Sequence, residues 1–324
     1  MKVLVILNEK SGTLASSSTN DEQERIANGF RSAGVEADVR FIAPAKIKAT
    51  AQAARDGSDP AGPFDAVVAG GGDGTLNTIA HVLAGGRAAF GVLPLGTHNH
   101  FAKELETPLD LDAAVAALAR AIHDGAVEDM DVASVNGTIF LNFSGIGLHP
   151  QVVRARDVTH KHLRMSELLK AVMRRFLKIF SLGLAFLGSL RRLPVRRVVL
   201  TGGDPPRSIA RVTPSVIVCN NPYQMQVFGL EGVSHPDRGM LNVYVARSKG
   251  PIGMVRLLLA SMVKMLANLR DFEAISLPSV RISTRRRGRI PVSVDGEVLE
   301  LETPLHYEVR AGGLRVIKPK GNAE

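Results

Sequence analysis

The stretch FDAVVAGGGDGTLNTIAHVLAG, residues 64–85, constrains the fold of this chain more than any other. Residues 64–69 form a short apolar run that ends on three consecutive glycines, and a helical segment follows. That order reads as a buried strand, a tight loop and a helix. It recurs around the motif. Residues 3–7, 37–42 and 88–93 read as further strands, and 21–33 and 45–55 as helices. Alternation of this kind predicts a parallel sheet with helices on both faces, and a ligand site at the carboxyl ends of the strands. Three segments fall there: NEKSG (8–12), GGGDGT (70–75) and PLGTHNH (94–100).

At 324 residues and 45% hydrophobic content, the chain is long enough for two compact domains. The apolar run after Met1 is too short for an export signal, and residues 179–190, interrupted by Gly183 and Gly188, are too short to span a bilayer. Cys219 is the only cysteine, which excludes an internal disulfide and a cysteine zinc site and fits a reducing cytoplasm. The formal charge of +9 points to an anionic partner: nucleic acid, a phospholipid surface or a phosphorylated small molecule. The excess is local. Between 154 and 197 the only acids are Asp157 and Glu167, among many Lys and Arg.

After residue 131 the pattern changes to short β-rich runs separated by turn residues, as in an antiparallel sandwich. The predicted organisation is an α/β domain over 1–128 and a β-sandwich over 129–304, with strands in 305–320 returning to the first domain. A basic amphipathic helical insertion covers 158–192. In it Arg164, Lys170, Arg174, Arg175 and Lys178 lie opposite Leu168, Leu169, Val172, Met173 and Phe176. Such a helix suits either an ordinary solvated surface or docking on anionic lipid.

Glycines after a strand let backbone N–H groups converge on a phosphate, and the following helix adds its positive N-terminus. Two common phosphate motifs fail here. The dinucleotide pattern G-x-G-x-x-G is broken by Thr75 or Asn77, and the nearest approach to a Walker A loop, 91–97, lacks the lysine. His98 and His100 are too few to hold a metal and read as site-lining residues.

GGDGT-L-N, residues 71–77, resembles the phosphate loop of the diacylglycerol kinase and sphingosine kinase superfamily. NEKSG, PLGTHNHFAK (94–103) and DGE (295–297) resemble that family's other elements, in the same order. The resemblance implies an α/β nucleotide domain, a β-sandwich and an active site between them, with ATP and Mg²⁺ as cofactors. By resemblance, Asn8, Ser11, Gly12, Gly71, Gly72, Gly74, Thr75, Asn77, Gly96, Thr97 and Asn99 hold ATP, and Asp73 binds Mg²⁺. Glu297 is then the general base on a lipid hydroxyl and Asp295 supports metal or base. Phosphoryl transfer suits this sparse chemistry, since positioning and charge neutralisation carry it.

Glu9 stands where the family has proline, His98 and His100 occupy places commonly taken by a small residue and an aspartate, and Arg238 interrupts a turn that binds structural Mg²⁺ in several relatives. That turn is therefore expected to hold no metal. The expected partners are a lipid such as diacylglycerol and an anionic membrane surface, reached from the cytoplasm; a homodimer stays open. No nucleic-acid partner is expected, because Trp is absent and Tyr numbers three. The competing classes are a silent lipid-binding relative and an NAD kinase-like phosphotransferase, whose second motif has no equivalent after residue 105.

Overall fold

A computed structural model describes residues 1–11, 19–96, 99–151, 153–154, 196–203, 205–220, 239–247, 272–285 and 288–319. The chain divides into two compact units, Met1–Val132 with Arg310–Glu324, and Ala133–Val309.

In the first unit, strands β1 (Lys2–Asn8), β2 (Glu36–Ile42), β3 (Ala66–Gly70) and β4 (Ala89–Leu93) pair in parallel in the order β2-β1-β3-β4. Helices α1 (Thr19–Ser32), α2 (Pro44–Asp56), α3 (Asp73–Leu83), α4 (His100–Glu104) and α5 (Leu111–His123) lie between and after them. Residues 3–7 of β1 are fully buried. A central parallel strand covered on both faces has no polar side to show, which is why its sequence reads as unbroken aliphatics. Val3, Val5 and Leu7 share one core with Phe30 of α1 and with Leu118 and Ile122 of α5. The Asp110 carboxylate caps α5 by accepting from the Ala113 N–H at 2.9 Å, and Gly57 closes α2 in the left-handed region at φ 69°.

The register Leu7↔Gly70↔Leu93 ends β1, β3 and β4 at one level. The loops after them therefore emerge side by side. A later strand, β16 (Leu305–Ile317), joins this sheet beside β4, with Val316 opposite Phe90 and Ile317 in the core.

The chain enters the second unit along β5 (Val127–Val135). Asn136 and Gly137, with φ of 48° and 79°, make the two-residue turn to β6 (Thr138–Phe140). The remaining strands are β7 (Phe143–Gly147), β8 (Arg196–Gly202), β9 (Arg207–Thr213), β10 (Ser215–Cys219), β11 (Leu241–Ala246), β12 (Phe272–Leu277), β13 (Ser279–Thr284), β14 (Gly288–Val294) and β15 (Glu297–Thr303). They pair antiparallel in the orders β16-β13-β8-β9 and β12-β11-β10-β7-β14-β15.

One apolar cluster joins Val198, Leu200, Val280, Ile282, Leu305 and Tyr307 of one sheet to Ile146, Val216, Val218, Val243 and Val292 of the other. Two sheets facing across a shared core form a sandwich. Each fully buried aliphatic side chain in it contributes about 1.5–3 kcal/mol. Tyr307 keeps its hydroxyl satisfied by Ser144 Oγ at 3.0 Å, while burial pushes its phenol pKa up.

No helix among the described residues is long and apolar enough to cross a membrane. The basic insertion over 158–192 lies outside the described residues, as do Asp237 and Arg238 of the expected metal-free turn.

Candidate active site

The first loop is held by Asn8. Its Oδ1 accepts the Lys10 N–H at 3.0 Å and its carbonyl the Ser11 N–H at 2.9 Å, so the chain turns sharply as it leaves β1. Its Nδ2 donates to Thr75 Oγ1 at 2.8 Å, across 67 residues of sequence. The loops after β1 and β3 are thereby tied together.

The glycines of the second loop fall into two pairs. A Cβ on Gly70 would lie 2.5 Å from a Leu7 methyl and 2.8 Å from a Leu95 methyl, and one on Gly71 would lie 2.8 Å from Thr75 Cβ. Crowding requires those two. A Cβ on Gly72 or Gly74 would meet no atom within 4 Å. Steric crowding does not explain this second pair, which borders open space where α3 begins. Gly72 is the residue before that helix, whose first N–H groups lack intrahelical acceptors and whose dipole favours an anion.

Asp73 is the first residue of α3; Thr75 and Asn77, both buried, follow within its first two turns. Ser11 is also buried, at 6% exposure, and its hydroxyl has no hydrogen-bond partner. A buried hydroxyl left unpaired costs roughly 1–3 kcal/mol. The orphan hydroxyl, the open glycines and the helix start fit a bound phosphate chain.

In the loop after β4, Asn99 takes the left-handed conformation at φ 50°, accepts the Gly96 N–H at 2.8 Å and donates to the Pro94 carbonyl at 3.2 Å. Both ends of its carboxamide shape the loop, so any part it plays in nucleotide binding acts through the backbone it holds. A Cβ on Gly96 would lie 2.9 Å from Gly72 Cα. Glycine at 96 lets this loop close onto the phosphate loop. Gly12, Thr97 and His98 lie outside the described residues.

In the second unit, Asp295 and Gly296, with φ of 45° and 87°, form the two-residue turn joining β14 to β15. Asp295 does more than turn the chain. Its carboxylate accepts the N–H groups of Leu141, Asn142 and Phe143 at 2.8, 2.9 and 3.2 Å, and its own N–H donates to the Phe143 carbonyl at 3.1 Å. Glu297 opens β15 with its side chain exposed. The two acids thus differ: Asp295 is built into the backbone around it, whereas Glu297 faces solvent. Burial, with the Asp295 charge adding to it, pushes the nearby Cys219 thiol up and leaves it unreactive.

Sequence reasoning missed His149 and Ser293. The His149 Nδ1 and the Ser293 Oγ are 2.6 Å apart, and Ser293 precedes Asp295 by two residues. The signal was the alternation Ser293, Asp295, Glu297 along one hairpin, which taken alone is indistinguishable from a solvated strand. Among the described residues no three His, Cys, Asp or Glu side chains converge on a metal site.

Residues 2–135 match the family model of the diacylglycerol kinase catalytic domain. That region is less than half of the chain. It contains both tied loops, the Asn99 loop and the start of the second unit.

A probable lipid kinase, YegS-like, from Pseudomonas aeruginosa is 44% identical over 91 residues, which is 28% of this chain and 28% of that protein. A diacylglycerol kinase of Bacillus subtilis is 37% identical over 86 residues, covering 26% of this chain and 27% of its own length. The matched stretch therefore spans little more than a quarter of these relatives. Over the whole fold, a crystal structure titled as a putative diacylglycerol kinase from Bacillus anthracis superposes with a TM-score of 0.66 at 24% identity, covering 98% of this chain and 95% of that one. A second, titled as a diacylglycerol kinase from the same organism, gives 0.63 at 20% identity over 98% and 96%. The α/β unit followed by an antiparallel β unit is the architecture of these structures.

Proposed function

We propose that this protein is an ATP-dependent lipid kinase that phosphorylates a hydroxyl of a lipid such as diacylglycerol. The observation that carries the reading is the cradle of the first unit: an unpaired buried Ser11 hydroxyl in the loop that Asn8 ties to Thr75, and glycines 72 and 74, which open onto space at the start of α3. ATP with Mg²⁺ supplies the γ-phosphoryl group and neutralises part of its charge. Ser11 donates its hydroxyl hydrogen to a phosphate oxygen, and the backbone at Gly71–Gly74 supplies N–H groups. Asp73 holds the metal, Thr75 is steadied by Asn8, and Asn99 fixes Gly96 against the loop. Gly12, Thr97 and Asn77 complete the nucleotide set.

On the acceptor side, Glu297 takes the proton of the lipid hydroxyl as the oxygen attacks phosphorus, since a neutral alcohol is a weak nucleophile. Asp295 holds the turn from which Glu297 acts. The Lys/Arg excess between 161 and 197 brings the protein to an anionic membrane face from the cytoplasmic side, as a peripheral protein.

Radiolabelled ATP incubated with a total lipid extract tests the reading. The expected result is a labelled, organic-soluble product that is lost in folded Asp73→Ala and reduced 10²–10⁴-fold in Glu297→Gln, the range for loss of a general base. Label on a water-soluble dinucleotide instead would assign an NAD kinase-like activity. Lipid binding without any labelled product would make the chain a silent relative.

A further inference from the structure

We propose that His149 and Ser293 form a positioning device for the Asp295–Gly296–Glu297 turn, an inference that rests on the lipid-kinase reading of that turn. The two residues are 144 positions apart in sequence, yet the His149 Nδ1 lies 2.6 Å from the Ser293 hydroxyl. Ser293 is fully buried on β14, and its Oγ also lies 3.2 Å from the Gly145 carbonyl on β7. A carbonyl oxygen can only accept, so the single hydroxyl hydrogen of Ser293 goes to Gly145. The oxygen is then left to accept, and the hydrogen it accepts is on Nδ1. This arrangement selects the Nδ1–H tautomer and leaves the imidazole orientation fixed.

The surroundings make room for the pair and connect it to the acids. A Cβ on residue 145 would lie 2.8 Å from Ser293 Oγ and 2.9 Å from His149 Cβ. The hydrogen bond therefore depends on glycine at that position. The Phe143 ring meets the His149 ring edge to face, with centroids 5.0 Å apart. Phe143 is also the residue whose N–H the Asp295 carboxylate holds, and whose carbonyl takes the Asp295 N–H. A closed circuit results. Ser293 leads along β14 to Asp295, Asp295 bonds Phe143, Phe143 packs on His149, and His149 bonds Ser293. Displacing any member shifts the platform from which Glu297 projects, and catalytic geometry is sensitive to shifts of about 1 Å.

His149 is thus a positioning residue, and its test must separate that role from simple packing. The full chain is assayed with ATP and the lipid labelled in the extract experiment. His149→Leu, which fills the ring volume without the hydrogen bond, is expected to lower kcat about ten- to a hundred-fold while KM for ATP and the melting temperature stay near wild type. His149→Asn, whose carboxamide N–H can reach the Nδ1–H position, is expected to recover most of the loss. Ser293→Ala should match His149→Leu, with the double variant no worse than either.

A folded His149→Leu with wild-type kcat, or an Asn variant no better than Leu, overturns the proposal. Should the Leu variant not fold, the Asn and Ser293→Ala proteins decide the matter by the same comparison. Nitrogen-15 NMR of the wild-type imidazole is independent of activity: an Nδ1–H tautomer is expected, and Nε2–H overturns the circuit. A wild-type protein that labels no lipid but shows the Nδ1–H tautomer defeats the kinase reading and leaves the circuit standing as structure alone.

Discussion

Gly70 and Gly72 are two residues apart and answer to different forces. Placing a methyl at 70 drives it into Leu7 and Leu95, so Gly70→Ala should cost about 1–3 kcal/mol through overpacking, read as a lower melting temperature. Placing one at 72 meets nothing in the protein. Gly72→Ala should keep the melting temperature yet weaken ATP binding, because the methyl would occupy the phosphates' approach. A calorimetric titration that finds unchanged ATP affinity in Gly72→Ala would place the phosphates elsewhere. Asp295 needs a similar separation of stability from chemistry. Asp295→Asn turns one acceptor into a donor aimed at backbone N–H groups, which should cost about 1–3 kcal/mol in urea unfolding. Lost activity in that variant therefore carries meaning only at temperatures where the protein is shown to be folded.

At the level of elements, the loop between α2 and β3 is clamped to β2 by charge. Arg40 reaches Asp59 through both guanidinium nitrogens, at 2.7 and 2.9 Å, and also bonds Asp38. The hydrogen bond from Arg40 holds the Asp59 carboxyl down at about 2, below its ordinary 3.8. A depressed carboxyl stabilises the fold above its ordinary value and loses that contribution as pH falls through the folded one. Stability should therefore drop between pH 4 and 2 by an increment that Asp59→Asn lacks, measurable by urea midpoints across that range.

What the sequence could reveal follows the same division between local and distant causes. Strands β1, β3 and β4 were legible because strands buried on both faces read as aliphatic runs, and the loops after them because glycine marks tight backbone. The stretch RVTPSVIVCNN, residues 211–221, reads as one run, but Pro214 divides it between β9 and β10. The Asp295 clamp and the His149–Ser293 bond were illegible, because each joins residues about 150 positions apart and neither residue type is unusual on a strand.

For the molecule as a whole, the net charge of +9 gathers mainly between 154 and 197, where acids are scarce. If that segment meets anionic lipid, vesicle sedimentation should weaken as salt shortens the reach of its charges, to roughly 10 Å at 0.1 M. Replacing Arg174, Arg175 and Lys178 with Gln should weaken it too. Binding untouched by both changes would leave the segment as ordinary surface. A different consequence follows from β16. Leu314, Val316 and Ile317 are buried in the first unit, and Gly313 accepts the Gly85 N–H at 2.7 Å. Those residues are translated only after every strand of the second unit. A chain emerging from the ribosome therefore cannot finish its first unit first, as domains ordered simply along a sequence do. The flank of β4 stays open through most of synthesis, an unpaired edge of the kind that recruits wrong partners. Chains halted before Arg310 should accordingly aggregate or require a chaperone, and release of the last residues should restore solubility.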